Sequence, residues 1–133
     1  MSNLVLSNNV ISIGERAFED CKYLRSLVIP DSVTSIGYSA FDGCSSLSSL
    51  VIPDGVTSIR DYVFRGCSSL SSLTIPDSVT SIGFDAFEGC SSLRDLVIPN
   101  SVNDIEDRAF EGCNFPDNLK QELISRFGNK IFG

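Results

Sequence analysis

Residues 44–66 read CSSLSSLVIPDGVTSIRDYVFRG, and this pattern recurs along the chain at a fixed interval. Its clearest marks are cysteines and phenylalanines that keep this spacing: Cys21, Cys44, Cys67, Cys90 and Cys113, and Phe18, Phe41, Phe64, Phe87 and Phe110. The period of about 23 residues lies within the range of about 20 to 50 that is the signature of a solenoid. Each coil of a solenoid contacts only its neighbours, so the stack presents a long open surface. The sequence therefore predicts a one-dimensional stack of coils.

The residues of one coil predict its local structure. Residues 50–52 are rich in β-branched side chains that alternate inward and outward, which favours a short strand. Pro53-Asp54 ends the strand, because proline presets a turn and aspartate bonds its own backbone. Val56 and Ile59 then point inward again, and Phe64 anchors a short helical or 3₁₀ segment on the opposite wall.

Stacking these coils places equivalent residues side by side at the spacing of neighbouring strands, about 4.8 Å. We therefore expect a parallel sheet along one side and a column of phenylalanines along the other. The inward residues expected in the core are Leu27, Leu50, Leu73 and Leu96; Ile29, Ile52, Ile75 and Ile98; Val33, Val56, Val79 and Val102; and Ile36, Ile59, Ile82 and Ile105. Since one coil cannot bury its apolar side alone, stability must come from the stack.

The chain divides into a solenoid, residues 1–113, and a C-terminal capping helix and tail, residues 114–133. The repeats of the solenoid run roughly over 1–21, 22–44, 45–67, 68–90 and 91–113. In the cap, Pro116 and Gly128 suit the start and the stop of a helix. The apolar residues that this helix would turn toward the last repeat are Leu119, Leu123, Ile124 and Phe127.

Composition excludes two classes of partner. Ten basic and seventeen acidic residues among 133 give a net charge of −7. This balance argues against nucleic acids, whose phosphates need Lys and Arg to neutralise them, and against docking on an anionic membrane. No apolar run approaches the roughly 18 residues of a membrane span, so we expect no membrane insertion.

The start of the chain bears on its location. MSNLVLSNNV lacks a basic stretch followed by a long apolar core, so we expect no signal peptide. Two interpretations stay open, a cytoplasmic protein and an excised piece of a longer one. Met1 shares its register with Leu24, so the chain begins inside a repeat unit, which favours the excised piece.

The cysteines predict a row of buried, reduced thiols, because a free cysteine packs as a small apolar group. Each repeat has a single cysteine and the chain has no histidine, whereas zinc sites use short Cys-x2-4-Cys pairs. We expect no metal and no cofactor. Without histidine there is also no Ser-His-Asp or Cys-His arrangement, so we do not expect an enzyme.

The repeat motif C-x-x-L-x-x-L-x-I-P-x-S-V-x-x-I-x-x-x-A-F-x-x-C closely resembles the BspA-like leucine-rich repeats over residues 1 to about 113. IPDSVTSIG followed by AF and GC occurs, with small changes, in most repeats. The resemblance implies a right-handed leucine-rich-repeat solenoid of about five coils, an α/β solenoid with its parallel sheet on the concave side. It also implies a cell-surface or secreted protein without catalytic residues, which adheres to a host, matrix or bacterial surface protein.

The outward strand positions are the first candidate binding surface. On the concave face they would form an exposed β-branched stripe bordered mainly by serines, and contiguous exposed apolar patches tend to mark interaction sites. The alternative is that β-branched residues merely favour a strand at a solvated position. We call these residues the concave stripe: Ser26, Val28, Ser49, Val51, Ser72, Thr74, Asp95 and Val97.

A second candidate, the aromatic patch, lies where the repeats differ most. Two residues precede the Ala-Phe pair of each repeat, and three of these ten are large aromatics: Tyr38, Tyr62 and Phe84. Exposed aromatic rings serve as anchors in interfaces. Drift at unconstrained surface positions explains the variation equally well.

A stack of carboxylates gives a third, weaker candidate. Asp31, Asp54 and Asp77 would lie in neighbouring coils, with Asn100 after them. Calcium prefers several oxygen ligands. However, proline-aspartate is first of all a turn signal.

Two functions stay open. The leading hypothesis is a non-catalytic protein-binding or adhesion module, although a fold supports little more than binding in general. The alternative is a structural or scaffolding unit that self-associates through its uncapped N-terminal edge. The apolar residues expected at that edge are Leu4, Leu6, Val10, Ile13 and Phe18.

Overall fold

Strands in this protein pair with the equivalent strands of neighbouring coils, as the repeat predicts. A computed structural model describes residues 3–133. Met1, which shares its register with Leu24, lies outside the described residues. Within them are nine short strands: β1 (Asn3–Val5), β2 (Ser12–Ile13), β3 (Ser26–Val28), β4 (Ser35–Ile36), β5 (Ser49–Val51), β6 (Ser58–Ile59), β7 (Ser72–Thr74), β8 (Ser81–Ile82) and β9 (Asp104–Ile105).

The first row of strands is the predicted parallel sheet, in the order β1-β3-β5-β7. In each strand the central leucine is directed into the core while its neighbours are more exposed, as in β5 with its buried Leu50. In the fifth repeat, residues 95–97 are not a strand, although the sequence predicted one. Leu96 remains buried, but the residue at the equivalent place after it, Leu119, lies in a helix. Residues 95–97 therefore have no strand to pair with at the C-terminal end of the stack.

A second row of strands follows the Pro-Asp turn in each coil. It forms two parallel sheets, β2-β4 and β6-β8-β9. The sequence predicted that Val56 and Ile59 point inward here, but it did not predict strands. Both side chains are buried. The Val-Thr-Ser-Ile stretches are largely β-branched, which favours an extended backbone at this place.

The segments that carry the phenylalanines are turns, whereas the sequence predicted short helical or 3₁₀ segments. In the second repeat Ser39 and Gly43 have positive φ angles of 57° and 81°. The Asp42 N–H donates within the turn to the Ser39 carbonyl at 3.2 Å, whereas the Gly43 N–H donates to Arg65 in the next coil at 2.7 Å. A left-handed residue at every fourth position stops a right-handed helix and directs N–H groups toward the neighbouring coil.

The core is the predicted stack of equivalent side chains. All the leucines, isoleucines and valines expected inside are buried. Consecutive phenylalanine rings from Phe18 to Phe110 are stacked, with centroids between 5.4 and 5.6 Å apart. Phe41, Phe64, Phe87 and Phe110 have no exposed surface. The aromatic column is therefore confirmed.

Beside the aromatic column runs a row of free thiols. Cys44, Cys67 and Cys90 are buried, and the terminal members Cys21 and Cys113 are half-buried. Each of the last four thiols donates to the carbonyl of the phenylalanine in the preceding coil. The Cys67 Sγ, for example, lies 3.2 Å from the Phe41 carbonyl oxygen. The thiols therefore link neighbouring coils in addition to filling the core.

The C-terminal segment covers the last coil. Helix α1 (Asp117–Phe127) starts after Pro116 and stops at Gly128, which has a φ of 89°. A 3₁₀ turn, Asn129–Phe132, follows it. Leu123 and Ile131 have no exposed surface. The cap expected from the sequence is present, and the 3₁₀ turn is an addition that the sequence did not predict.

Candidate functional site

The concave stripe lies on the first row of strands. β3, β5 and β7 hold its first six residues in register, so Ser49 lies between Ser26 and Ser72. Val51 is 64% exposed and pairs directly with Thr74. These side chains point outward because the leucine between each pair of stripe residues faces the core.

The last two stripe residues lie outside this sheet. Val97 is 82% exposed, and Asp95 is also exposed. Residues 95–97 do not form a strand, so the backbone that carries this pair is not held by strand pairing. The ordered part of the stripe therefore runs over three coils, from Ser26 to Thr74.

A shallow depression of about 390 Å³ follows the ordered part of the stripe. Its lining includes Ser26, Val28, Ser49, Val51 and Ser72. Ser26 donates to the Asn3 Oδ1 at 2.7 Å. The exposed hydroxyls of Ser49 and Ser72 make no hydrogen bond with another described residue. The surface thus offers apolar side chains next to hydroxyl groups that can donate and accept.

The aromatic patch lies on the turns instead. Tyr38 and Phe84 are exposed, whereas Tyr62 is half-buried. Two arginines lie over the tyrosines: the Arg60 guanidinium is 5.3 Å from the Tyr38 ring centre, and Arg65 is 4.5 Å from that of Tyr62. Cation–π contacts of this length stabilise the folded chain. Both tyrosines therefore already have intramolecular partners.

Ion pairs between neighbouring coils were not predicted from the sequence. Arg65 binds both carboxylate oxygens of Asp42, with its Nε at 3.2 Å and its Nη2 at 2.7 Å. The Arg108 Nε lies 3.0 Å from the Asp85 carboxylate. In each pair the partners occupy neighbouring coils and are separated by one repeat period, so their shared register was the available signal. The hydrogen bond with Asp42 raises the pKa of Arg65.

Four of the thiols, those of Cys44, Cys67, Cys90 and Cys113, have no nucleophilic chemistry near neutral pH. Burial raises the pKa of Cys44 and of Cys113 to about 12. Burial also raises the pKa of Cys67 and of Cys90. Because the thiolate is the reactive form, these side chains remain inert thiols.

The calcium candidate receives no geometric support. Asp31, Asp54 and Asp77 are exposed at their turns. Residues 3–133 contain no group of three or more Asp, Glu, Cys or His side chains arranged to hold a metal ion. In the same part of the chain, no helix has the length and apolar character needed to cross a membrane.

Comparison with protein families assigns the repeats. The family model of the BspA type leucine-rich repeat region matches residues 1–132 in six copies. Five of these copies are expected from the cysteine spacing, and the match extends into the C-terminal segment. No curated protein matches the chain.

Solved structures show the same fold. A leucine-rich repeat protein from Bacteroides ovatus is 34% identical with a TM-score of 0.81, over 86% of this chain and 33% of that one. The leucine-rich repeat protein of T. pallidum is 29% identical with a TM-score of 0.78, over 92% of this chain and 82% of that one. A leucine-rich repeat protein from Eubacterium ventriosum, 24% identical with a TM-score of 0.57, is similar in fold over 88% of this chain and 45% of its own. This chain thus spans a third of the Bacteroides ovatus protein.

Proposed function

Because this chain belongs to the BspA-type leucine-rich repeat family, we propose that it is a non-catalytic protein-binding module that uses its concave stripe. The observation that carries the proposal is the ordered row of outward residues on β3, β5 and β7. Val28 and Val51 are exposed large apolar side chains, and they share the depression with Ser49 and Ser72, whose hydroxyls make no hydrogen bond with another described residue. Contiguous apolar surface of this kind tends to mark interaction sites.

The partner is an extended segment of a protein on a host, matrix or bacterial surface. An extended chain that crosses the strands places apolar side chains against Val51 and Thr74. Its backbone groups then bond the hydroxyls of Ser49 and Ser72. The stripe has no charged side chain on β3, β5 or β7, so the contact needs no desolvation of a charge.

The site of action is outside the cell or at its surface, as the resemblance of the repeats implies. The buried thiols, Cys44, Cys67 and Cys90, are compatible with such an oxidising environment. Oxidation requires the thiolate, and burial raises the pKa of the Cys44 thiol to about 12. Cys67 and Cys90 have no exposed surface.

The test uses random peptides as substitutes for an extended partner segment. A phage-displayed library is selected on the wild-type chain, and the selected peptides are measured by fluorescence anisotropy. Replacing Val51→Lys together with Thr74→Glu changes the stripe to charged groups that pair with each other across the strands. The selected peptides should bind this variant at least about tenfold more weakly, a loss of about 1.4 kcal/mol.

A matched control separates the stripe from general surface effects. Thr57→Lys with Thr80→Glu makes the same charge change on equivalent exposed residues of neighbouring coils, next to the second row of strands. This variant should bind the peptides as the wild type does. Circular dichroism checks the folding of both variants. The role of the stripe is refuted if the selection yields no binding peptide. It is also refuted if the selected peptides bind both variants equally well.

A third variant, Tyr38→Ser with Phe84→Ser, tests the aromatic patch. Retained peptide binding supports the concave stripe. A loss that is confined to this third variant assigns binding to the turns and overturns the proposal.

A further inference from the structure

The contact between the second and third coils differs from the other contacts between coils, and we call it the seam. In the second row of strands, β2-β4 and β6-β8-β9 are separate sheets, so β4 and β6 do not pair across the seam within the described residues. In the first row, β3 and β5 share one register pair, Ser26 with Ser49, whereas β5 and β7 share three. Strand pairing is therefore reduced in both rows at the same place.

The backbone hydrogen bonds beside the second row show the same interruption. At each of the other contacts between coils, two N–H groups donate to the preceding coil. Between the third and fourth coils, for example, Thr80 donates to Thr57 at 2.9 Å, and Gly83 donates to Ile59 at 2.7 Å. The equivalent donors at the seam are the N–H groups of Thr57 and Arg60. Within residues 3–133 neither of them donates to the second coil.

The third coil also lacks a side-chain bond that the other coils make. The hydroxyls of Ser32, Ser78 and Ser101 each donate to a valine carbonyl of the preceding coil at 2.7 Å. The equivalent residue of the third coil is Gly55, which has no hydroxyl. The Val33 carbonyl therefore receives no such bond.

Arg60 enlarges the third coil at a place where the first, second and fourth coils have glycine. A Cβ atom on Gly83 would lie 2.6 Å from the Asp61 backbone nitrogen of the preceding coil. The side chain of Arg60 thus needs room that a contact with glycine does not provide. The fifth coil also has a side chain here, Glu106, but it keeps the hydroxyl of Ser101. Among the stacked coils, only the third combines both changes.

The turn side of the seam is fully bonded. The N–H groups of Ser39, Phe41 and Gly43 donate to the third coil at 3.1, 2.9 and 2.7 Å. Arg65 binds both carboxylate oxygens of Asp42 across the same contact. Because few hydrogen bonds mark the parts of a fold that open first, the strand side of the seam is its weak side.

From this asymmetry we propose that the solenoid has a hinge at the seam, whose strand side opens and closes while the turn side acts as the pivot. A hinge needs only a few residues that absorb the motion. The concave stripe crosses the hinge, with Val28 on β3 and Val51 on β5. Opening changes the spacing of these side chains, so the stripe adapts to partner segments of different shape. This last step rests on the proposed function.

The test is methyl relaxation dispersion by NMR on the full chain, which detects exchange on the microsecond to millisecond timescale. Ile36 and Ile59 occupy equivalent positions on the two sides of the seam. Ile82 and Ile105 occupy the same positions at the contact between the fourth and fifth coils, where they pair. The methyl groups of the first two isoleucines should show exchange that those of the other two lack.

Two reciprocal variants test the cause. Gly55→Ser with Arg60→Gly gives the third coil the residues of the fourth, so the exchange at the seam should be lost. Ser101→Gly with Glu106→Arg gives the fifth coil the residues of the third. It should create exchange at the methyl groups of Ile82, and circular dichroism checks the folding of both variants.

The hinge is overturned if the wild type shows no exchange at the seam or equal exchange at both contacts. It is also overturned if the first variant keeps the exchange or the second fails to create it. Peptides selected on the concave stripe should suppress the exchange, because they hold both sides of the hinge; bound peptides that leave it unchanged would refute the adaptation of the stripe. If no peptide is selected, the proposed function fails, while the measurement on the free chain still decides the hinge.

Discussion

The buried thiols should make the fold sensitive to alkaline pH. Cys44, Cys67 and Cys90 have no exposed surface, and burial raises the pKa of each. In the unfolded chain each thiol returns to its ordinary pKa of 9.0. Below that pH both states keep the proton, so the thiols have no effect. Above it the unfolded chain releases protons that the folded chain retains, so stability falls as pH rises.

The size of the effect follows from the unfolded pKa. At about pH 10, ionisation lowers the free energy of the unfolded chain by about 1.4 kcal/mol for each thiol. The three fully buried thiols together should remove about 4 kcal/mol of folding stability between about pH 8 and pH 10. This is a large share of the roughly 5–15 kcal/mol that stabilises a typical domain.

The assay is urea unfolding, followed by circular dichroism at both pH values. Tyrosines and lysines also ionise in this range, so the decisive measurement compares the wild type with Cys67→Ala. The variant should start less stable, because it loses the thiol that bonds Phe41. Its stability should then fall by about 1.4 kcal/mol less between the two pH values. Equal falls in the two proteins would refute the claim that burial holds this thiol in its protonated form.

Two further predictions concern the stack. Phe64→Leu should lower the free energy of unfolding by about 2–4 kcal/mol, because the ring is fully buried between two stacked neighbours. Phe18→Leu, at the half-buried end of the column, should lower it by less than half as much. Equal losses for the two variants in urea unfolding would contradict the claim that stacking on both sides stabilises Phe64. Gly55→Ser should stabilise the folded chain by about 1 kcal/mol, measured by thermal unfolding. The new hydroxyl can donate to the Val33 carbonyl, as the Ser78 hydroxyl donates to the Val56 carbonyl at 2.7 Å. Serine also has less backbone freedom than glycine in the unfolded chain. An unchanged or lower Tm for this variant would show that the coil at this turn differs from its neighbours.

The sequence predicted the features that repetition imposes. Equivalent residues must stack if the coils stack, so the aromatic column around Phe64 followed from the period of the repeat. The capping helix followed from local signals, with Pro116 at its start and Gly128 at its stop. The location of the binding surface stays a prediction, because outward residues such as Val51 are not specified by packing.

Features that depend on backbone dihedrals or on the neighbouring coil were harder to predict. Tyr62 and Asp85 adopt positive φ angles of 63° and 55°, which their residue types do not signal, so helical segments were expected where turns occur. Residues 95–97 have a strand-like sequence, but on their C-terminal side a helix lies where the next strand would pair. Local propensity is a weak guide when tertiary context decides pairing.

The ion pairs between coils bear on how the chain finds its correct order during folding. The second and fourth coils have nearly the same core residues, so apolar packing alone barely distinguishes a correctly threaded chain from one with two coils exchanged. Arg65 fits beside Asp42, and Arg108 fits beside Asp85. An exchange would leave Arg65 beside an acidic residue, Glu88, but would place Arg108 beside Ser39, so the second ion pair would be lost. Surface variation between near-identical modules can thus encode their sequence of assembly.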